Sequence, residues 1–284
     1  MAHSRLYFRA LRLARKRLGN PRAYNLCRRA YLVGLRVLRR VDEDDLRAFG
    51  RVPDRHGLVL DIGANGGQSA IALSFLMPDH RIHAFEPNPA LVGEMRFLRR
   101  LLGGRFTYQI AALGDRPGTL SLHVPVMGKL PITTRASLLA SEADAHAQTL
   151  RERYDMPVTI ARHDVPVLAG DGCELQPDAI KIDVEGAELQ VLMGLAETIA
   201  RTRPTIMLER GTSMVACQGF LAPLGYRFAQ RGREGELHER LDLPARNYFA
   251  VPRERWQEFV SGSGEADGGS PETSRLTHPT RHPA

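Results

Sequence analysis

Cysteine is scarce in this chain of 284 residues, and its three cysteines, Cys27, Cys173 and Cys217, lie far apart. Their spacing matches neither a disulfide framework nor a structural zinc site, which argues against a cross-linked secreted protein. The sequence also lacks any run of roughly 18 apolar residues that would predict a transmembrane helix. Arginine and lysine interrupt the first residues too often for the apolar core of a signal peptide. We therefore expect a globular protein of the reducing cytoplasm.

Acidic residues are absent from the first 40 positions, which hold twelve basic residues. From position 41 onward the chain has 27 basic and 32 acidic residues, a net charge of −5. The excess positive charge therefore belongs to an N-terminal arm, residues 1–41, and not to the body of the protein. Because a net negative body is a poor surface for nucleic acid, a polyanionic partner would have to bind the arm.

The pattern of the arm predicts two basic amphipathic helices, separated near Gly19-Asn20-Pro21. In the second helix, an apolar stripe that includes Tyr24, Tyr31 and Leu35 lies opposite several arginines. Such helices can dock on the acidic body, lie on an anionic membrane at its inner face, or bind nucleic acid. Side chains that could stack on bases are sparse, so nucleic acid is the least favoured of the three.

Short apolar strands alternate with helical patterns through the main domain, residues 42–260. The predicted strands are Leu58–Ile62, Arg81–Phe85, Thr107–Leu113, Asp178–Asp183 and Pro204–Glu209. The predicted helices between them are Gln68–Met77, Pro89–Leu102 and Ala187–Ala200. This alternation is typical of a parallel sheet that is covered by helices on both faces.

Three segments depart from that alternation. Tyr226–Gln230 and Asn247–Val251 predict an antiparallel hairpin at the end of the main domain. Residues 114–177 predict an irregular insertion, with a hairpin strand at Thr119–Val124, and loops of this kind often set substrate specificity. The tail, residues 261–284, is rich in Gly, Ser, Pro and Thr and is predicted to be disordered.

The strongest local motif is the D-x-G-x-x-G-G run of residues 61–67, which joins the first strand to a helix. Glycines allow a sharp turn and a close approach of the backbone to a ligand, and the N–H groups of the next helix favour an anionic group. Asp61, at the head of the motif, would repel a pyrophosphate and favours an amino-acid-like ligand with an ammonium group. The alternative is a plain strand-to-helix turn.

Glu86 ends the second strand, 20 residues after Gly66. An acid at this place in such a sheet is positioned to accept hydrogen bonds from ribose hydroxyls. Asn88 is suited to cap the helical segment that starts at Pro89, and this role is compatible with ligand binding by Glu86. The two segments together predict a nucleoside bound where the strand order of the sheet reverses.

Acidic residues also follow the fourth strand, where ligands bind in parallel sheets. Asp183 and Glu185 are therefore predicted to belong to the site, whereas Glu188 is equally suited to stabilise the start of a helix. Lys181 is unusual because this chain uses 36 arginines and only three lysines. A lysine within so apolar a strand predicts a structural ion pair rather than a catalytic role.

The segments DIGANGGQSA, FEPNP, AALGDRPGTLSL, IKIDVEGAELQVLMG and IMLER occur in the order of the FkbM family of S-adenosylmethionine-dependent methyltransferases. The resemblance covers roughly residues 56–211, and KIDVEGAE is its most specific part. It implies a Rossmann-like class I methyltransferase fold, α/β, with a mostly parallel seven-stranded sheet, an antiparallel last strand and helices on both faces. It also implies S-adenosylmethionine as cofactor and methylation of a hydroxyl oxygen on a sugar, a glycolipid or a secondary metabolite.

The resemblance also implies roles for individual residues. The methionine end of the cofactor would contact the turn of Asp61, Gly63, Asn65, Gly66 and Gly67. Glu86 would hold the ribose, and Asp115 would either contact the adenine or serve in a turn.

An alcohol is a weak nucleophile at neutral pH, so methyl transfer to oxygen benefits from a base. The candidates are three carboxylates at strand ends, Asp183, Glu185 and Glu209, with His123 and His163 of the insertion as alternatives. No ligand spacing in the sequence requires a metal. The expected partner is a small-molecule or glycan acceptor, and the oligomeric state stays open.

Three other functions compete with this interpretation. An NAD(P)-dependent oxidoreductase would share the strand-turn-helix but would have G-x-G-x-x-G, which the sequence lacks. A nucleic-acid methyltransferase would use the basic arm, yet no N-P-P-Y or D-P-P-Y segment is present. A non-enzymatic scaffold would have lost its pocket, whereas all three ligand-facing segments look intact.

Overall fold

A computed structural model describes residues 21–138, 140–242 and 245–262. The first helix predicted for the arm lies outside the described residues, as does the predicted disordered tail from residue 263 onward. The described strands, numbered in chain order, are β1 (Leu58–Ile62), β2 (Arg81–Phe85), β3 (Phe106–Gln109), β4 (Ala112–Gly114), β5 (Gly118–Met127), β6 (Leu130–Pro131), β7 (Val158–Ala169), β8 (Ala179–Ile182), β9 (Thr205–Glu209), β10 (Tyr226–Arg231), β11 (Leu237–His238) and β12 (Asn247–Pro252).

The described α-helices flank these strands. They are α1 (Pro21–Val37), α2 (Gln68–Leu76), α3 (Val92–Leu102), α4 (Ala140–Tyr154), α5 (Glu188–Gly194), α6 (Ala196–Thr202), α7 (Met214–Leu221) and α8 (Trp256–Ser261). Across the described part of the chain, none of these helices combines the length and the apolar character needed to cross a bilayer.

The main sheet has eight strands in the order β11-β10-β12-β9-β8-β1-β2-β3. The five strands from β9 to β3 are parallel, and β12 is inserted antiparallel between β9 and β10. The predicted Rossmann-like fold with an antiparallel last strand is therefore confirmed. The expected count of seven strands is corrected to eight, because the short strand β11 extends the edge of the sheet beyond β10.

Successive residues of the central strands point to opposite faces of the sheet, and each face has its own hydrophobic core. Val59 packs on the face that α1, α2, α3 and α8 cover, whereas Leu60 packs against α5, α6 and α7. Coverage on both faces explains why these strands are almost continuously apolar in sequence. It also leaves the carboxyl ends of the strands as the open edge of the sheet.

The insertion at residues 114–177 is not irregular. Together with β4, it forms a second sheet of four strands in the order β4-β7-β5-β6, with α4 packed against it. Ten residues of β5 pair with β7 in an antiparallel register. The strand predicted at Thr107–Leu113 is divided in two, because the chain leaves the main sheet after β3 and enters the second sheet at β4.

Helix α1 docks on the body through a buried face that contains Leu32 and Leu35. Arg29 donates to Glu94 of α3 at 3.1 Å, and Arg28 Nε lies 3.9 Å from the same carboxylate. Glu94 is buried, and so are Nε and Nη2 of Arg28, which make no hydrogen bond within the described residues. Docking on the body is thus the outcome observed for the second helix of the arm.

We expect Glu94→Gln to lower the free energy of unfolding by about 3 kcal/mol, because it leaves the buried guanidinium of Arg28 without a compensating charge. Urea unfolding followed by circular dichroism measures the effect. The control is Glu197→Gln on α6, where the side chain is exposed and a change of no more than about 0.5 kcal/mol is expected. Equal stability of the two variants would contradict the ion pair as the anchor of α1.

Candidate active site

A cavity of about 530 Å³ lies at the carboxyl ends of β1, β2 and β8. The main sheet contributes Gly63, Asn65, Glu86, Asn88, Lys181, Asp183 and Glu185 to its lining. The second sheet and the segment that follows β6 contribute Leu120, Leu122, Thr133, Thr134, Ser137 and Leu138. The segment after α1 and the loop before β12 supply Asp42, Glu43 and Arg246.

The turn after β1 requires glycine at two positions. Gly63 has a φ of 79°, and a Cβ on it would lie 1.8 Å from the backbone oxygen of Asp183. Gly67 has a φ of 90° at the start of α2, and a Cβ there would lie 2.2 Å from Leu98 of α3. The turn is therefore pressed between the end of β8 and the helices below it.

Glu86 holds this turn from the end of β2. Its two carboxylate oxygens accept hydrogen bonds from the backbone N–H of Asn65 at 2.7 Å and of Asn88 at 2.9 Å. Burial raises the pKa of Glu86, while these hydrogen bonds and the charge of Lys181 act in the opposite direction. The side chain of Asn88 accepts from the N–H of Ala90, so the predicted cap is present beside the glutamate.

Lys181 forms the structural ion pair that its place in an apolar strand predicts. Its Nζ lies 3.3 Å from Asp61 and 3.5 Å from Asp183, and it donates to the backbone oxygen of Gly63 at 2.9 Å. Burial alone would lower the pKa of Lys181, but the two carboxylates outweigh it and the pKa is raised. Asp61 also accepts from Ser69 at 2.7 Å, so this residue supports the turn from beneath and does not line the cavity.

Asp183, Glu185 and Glu209 come together at the ends of β8 and β9. Each contributes a carboxylate oxygen, and these oxygens all lie within 4.8 Å of one another. Arg246 donates to Oε1 of Glu209 through Nε at 3.1 Å and Nη2 at 2.9 Å. Burial and then the negative charge of Asp183 raise the pKa of Glu209 to about 7, in spite of Arg246.

Three carboxylates at this spacing are also ligands that a divalent cation accepts. Lys181 and Arg246, however, already place one positive charge beside Asp183 and one beside Glu209. Because Lys181 is shared with Asp61, these two cations compensate only part of the negative charge of the cluster. Its chemistry is that of a carboxylate pair that can hold or release a proton near neutral pH.

Other predicted residues lie away from the cavity. Asp115 is exposed in the turn between β4 and β5 and is not part of the lining. His123 and His163 are in the paired strands β5 and β7 and are likewise outside the lining. Glu188 accepts from the N–H of Gly186 at 2.9 Å and from the hydroxyl of Ser213, so it stabilises the start of α5.

The sequence interpretation missed the rim of the cavity. Asp42 accepts from the hydroxyl of Tyr31 at 2.7 Å, and Glu43 accepts from the side chain of Asn247. In the sequence these two residues belong to a short acidic run, residues 42–45, and such a run is more typical of a solvated connection than of a site. Arg246 carried no signal, because it lies in a charged loop without periodicity.

A family model for the methyltransferase FkbM domain matches residues 61–231, more than half of the chain. The chain belongs to the FkbM methyltransferase family. Its expected family membership is therefore confirmed. The matched range contains the glycine turn, Glu86, Asp183 and Glu209. It excludes α1, the acidic segment after it and Arg246.

This FkbM methyltransferase is 25% identical to the 2-O-methyltransferase NoeI of Sinorhizobium fredii (strain NBRC 101917 / NGR234) over 147 residues. The match covers 51% of this chain and 60% of that relative, which is less than two thirds of the relative's length.

Two solved structures resemble the fold. The FkbM methyltransferase from Methylobacillus flagellatus KT has a TM-score of 0.44 and 16% identity, with 72% of this chain and 48% of that chain covered. The precorrin-6y C5,15-methyltransferase from Geobacter metallireducens GS-15 has a TM-score of 0.39 and 18% identity, with 72% and 84% covered. Both scores lie below 0.5, so neither likeness carries an inference about chemistry.

We expect Gly63→Ala to lower the free energy of unfolding of this FkbM methyltransferase by more than about 3 kcal/mol, because strain at positive φ and a backbone clash add. Thermal unfolding of the purified variant measures the loss. The matched control is Gly219→Ala in α7, where a Cβ meets no atom within 4 Å. That helical substitution should raise stability by up to about 1 kcal/mol. A stable Gly63→Ala protein would show that the turn is not packed against β8.

Proposed function

We propose that this FkbM methyltransferase transfers the methyl group of S-adenosylmethionine to a hydroxyl oxygen of a sugar, a glycolipid or a secondary metabolite. One observation carries the proposal. Gly63 and Asn65 of the glycine turn line the same cavity as Glu86 and Asp183, whereas Gly66 and Gly67 lie outside its lining. The turn and Glu86 suit a nucleoside with an amino-acid end, and Asp183, paired with Glu209, suits a proton acceptor. Cofactor and acceptor would therefore meet in one space.

The residues present fit the cofactor. The cavity volume of about 530 Å³ is in the range of cofactor sites. Asn88 has a buried Nδ2 that donates to no partner in the described residues, beside a glutamate whose oxygens each keep a free lone pair. In this proposal Gly63 and Asn65 approach the methionine end, and Glu86 accepts from the ribose hydroxyls. Leu113, Leu120 and Leu122 offer an apolar wall for the adenine ring of the cofactor.

When bound, the cofactor supplies an electrophilic methyl group on a sulfonium, and the protein supplies alignment and a proton acceptor. Glu209 lies behind the lining of the cavity, so in its ionised form it accepts the proton of the acceptor hydroxyl through Asp183, which does line the cavity. Arg246 positions Glu209 by donating twice to one oxygen. A base with a pKa of about 7 is well matched to neutral pH, because it is partly ionised and still binds a proton firmly.

The rim of the cavity suits a polyhydroxy acceptor. Thr133 and Thr134 place hydroxyl groups in the lining, and Asp42 and Glu43 place carboxylates there. The relative NoeI is named a 2-O-methyltransferase, which supports oxygen as the methylated atom. An acidic rim would repel a nucleic acid, which weakens the alternative of a nucleic-acid substrate.

We expect calorimetry to detect S-adenosylmethionine binding to the full chain and no comparable binding of NADH. Glu86→Ala should weaken the cofactor affinity by about 1.5–3 kcal/mol, the range for a hydrogen bond to a charged group. Glu197→Ala, on the exposed face of α6, is the control and should leave affinity unchanged. Wild-type affinity in a folded Glu86→Ala protein would argue against the ribose role, and tight NADH binding would overturn the proposed chemistry.

A second prediction concerns the base. In ¹³C NMR spectra of glutamate-labelled protein, one carboxyl group should titrate near pH 7. This titration should be absent from the Glu209→Gln variant. Asp183→Asn removes a neighbouring negative charge, so it should move this titration to lower pH. Methyl transfer from labelled cofactor to glycan and metabolite extracts should rise as pH increases through about 7, because the base must be ionised.

Asp183→Asn should cut this transfer while the affinity for S-adenosylmethionine stays close to that of the wild type. Equal losses of transfer and affinity would instead assign Asp183 to cofactor binding or to folding. Transfer that does not depend on pH between 6 and 8, about one unit on each side of the Glu209 pKa, would exclude Glu209 as the base.

A further inference from the structure

Helix α1 carries an exposed apolar stripe on the face opposite its docking face. Leu26 is 70% exposed, Val33 37% and Val37 72%, and Leu38 in the following turn is 64% exposed. The spacing of seven and four residues places the three helical side chains in one row. Four of the seven large apolar side chains that are exposed in the described ranges therefore belong to this short segment.

Cations border the stripe. Arg22 and Arg36 flank it by helical spacing, and Arg39 and Arg40 follow the end of α1. The segment 21–41 contains six arginines and no acid, and two of them, Arg28 and Arg29, lie against Glu94 of the body. Residues 1–20 add six more basic residues and again no acid. The outer face of α1 therefore combines an apolar row with a net positive charge.

We infer that this face binds the surface of an anionic lipid bilayer, with α1 parallel to the membrane plane and the stripe at the boundary between headgroups and acyl chains. Apolar area and attraction to anionic lipid together set the strength of such binding. A bilayer supplies both, because phosphate groups meet the arginines while the acyl region covers Leu26, Val33 and Val37.

Other occupants fit the charge less well. Packing of residues 1–20 on the stripe would bring six basic side chains against those of α1 with no acid between them. A second copy of the chain would meet the same repulsion on an identical surface. A nucleic acid would match the arginines but would leave the apolar row in water.

The position of the stripe also relates to the cavity. The chain runs from α1 directly into Asp42 and Glu43 of the cavity rim, and Tyr31 of α1 donates to Asp42 at 2.7 Å. Membrane binding by this face would therefore tether the domain that contains the cavity to the membrane. This last step rests on the proposed function, since it makes a lipid-anchored hydroxyl compound the natural acceptor.

The test is flotation of the full chain with vesicles of phosphatidylcholine, alone or mixed with phosphatidylglycerol. It needs neither cofactor nor acceptor, so its failure is distinct from a failure of the proposed chemistry. We expect binding to mixed vesicles at low salt and at least about tenfold weaker binding to neutral ones. The triple variant Leu26→Ser, Val33→Ser, Val37→Ser should lose at least about tenfold in binding to mixed vesicles.

The matched control is Val215→Ser on α7, which removes a side chain that is 79% exposed elsewhere on the body and should bind vesicles like the wild type. Absence of binding to mixed vesicles at low salt would overturn the inference, and so would unchanged binding by the triple variant. A lower Tm of the lipid-free triple variant would also contradict the inference, because it would indicate that residues 1–20 cover the stripe. A dimer that dissociates in the variant would assign the face to a second copy.

Discussion

A buried lysine at the centre of the sheet organises the site of this methyltransferase. Lys181 lies in β8, an apolar strand with neighbours on both sides, and an isolated ammonium group there would cost several kcal/mol. The structure compensates it with Asp61, Asp183 and the backbone oxygen of Gly63. The ends of β1 and β8 are thereby locked together. The glycine turn and the carboxylate of Asp183 are coupled, because both are bound to the same cation.

The electrostatics of the cluster follow from this sharing. Lys181 divides its charge between Asp61 and Asp183, so Asp183 keeps enough negative charge to oppose the ionisation of Glu209. Arg246 lowers the pKa of Glu209, but its side chain is the more exposed of the pair and water screens its charge. Partial burial of Glu209 is the largest effect, and it raises the pKa of the group. A carboxyl group that would ionise at low pH on the surface thus titrates close to neutrality, where a proton acceptor for an alcohol is useful.

How far the sequence predicts this molecule depends on the range of the interactions involved. β1, β2, β8 and β9 are buried on both faces, so their apolar runs are visible locally, and Glu86 and Asp183 follow directly from the ends of those strands. The second sheet was missed because β7 is largely solvated and carries Arg162, His163 and Asp164, while α4 contributes few buried side chains. Asp61 and Arg246 depend on partners far along the chain. No local pattern shows that Asp61 forms an ion pair with a lysine 120 residues later in the chain. Nor does any local pattern show that a loop near the end of the domain brings Arg246 to Glu209.

The cavity is built only in part by the residues that match the family domain. The matched residues 61–231 contain the turn, Glu86 and the Asp183–Glu209 pair, so the parts suited to cofactor and proton transfer belong to the shared domain. Asp42, Glu43 and Arg246 close the other side of the cavity and come from segments outside it. These segments are tied to each other through Asn247, which donates to Glu43 and Asp45, and to α1 through Tyr31. A change in these segments would therefore reshape this side of the cavity.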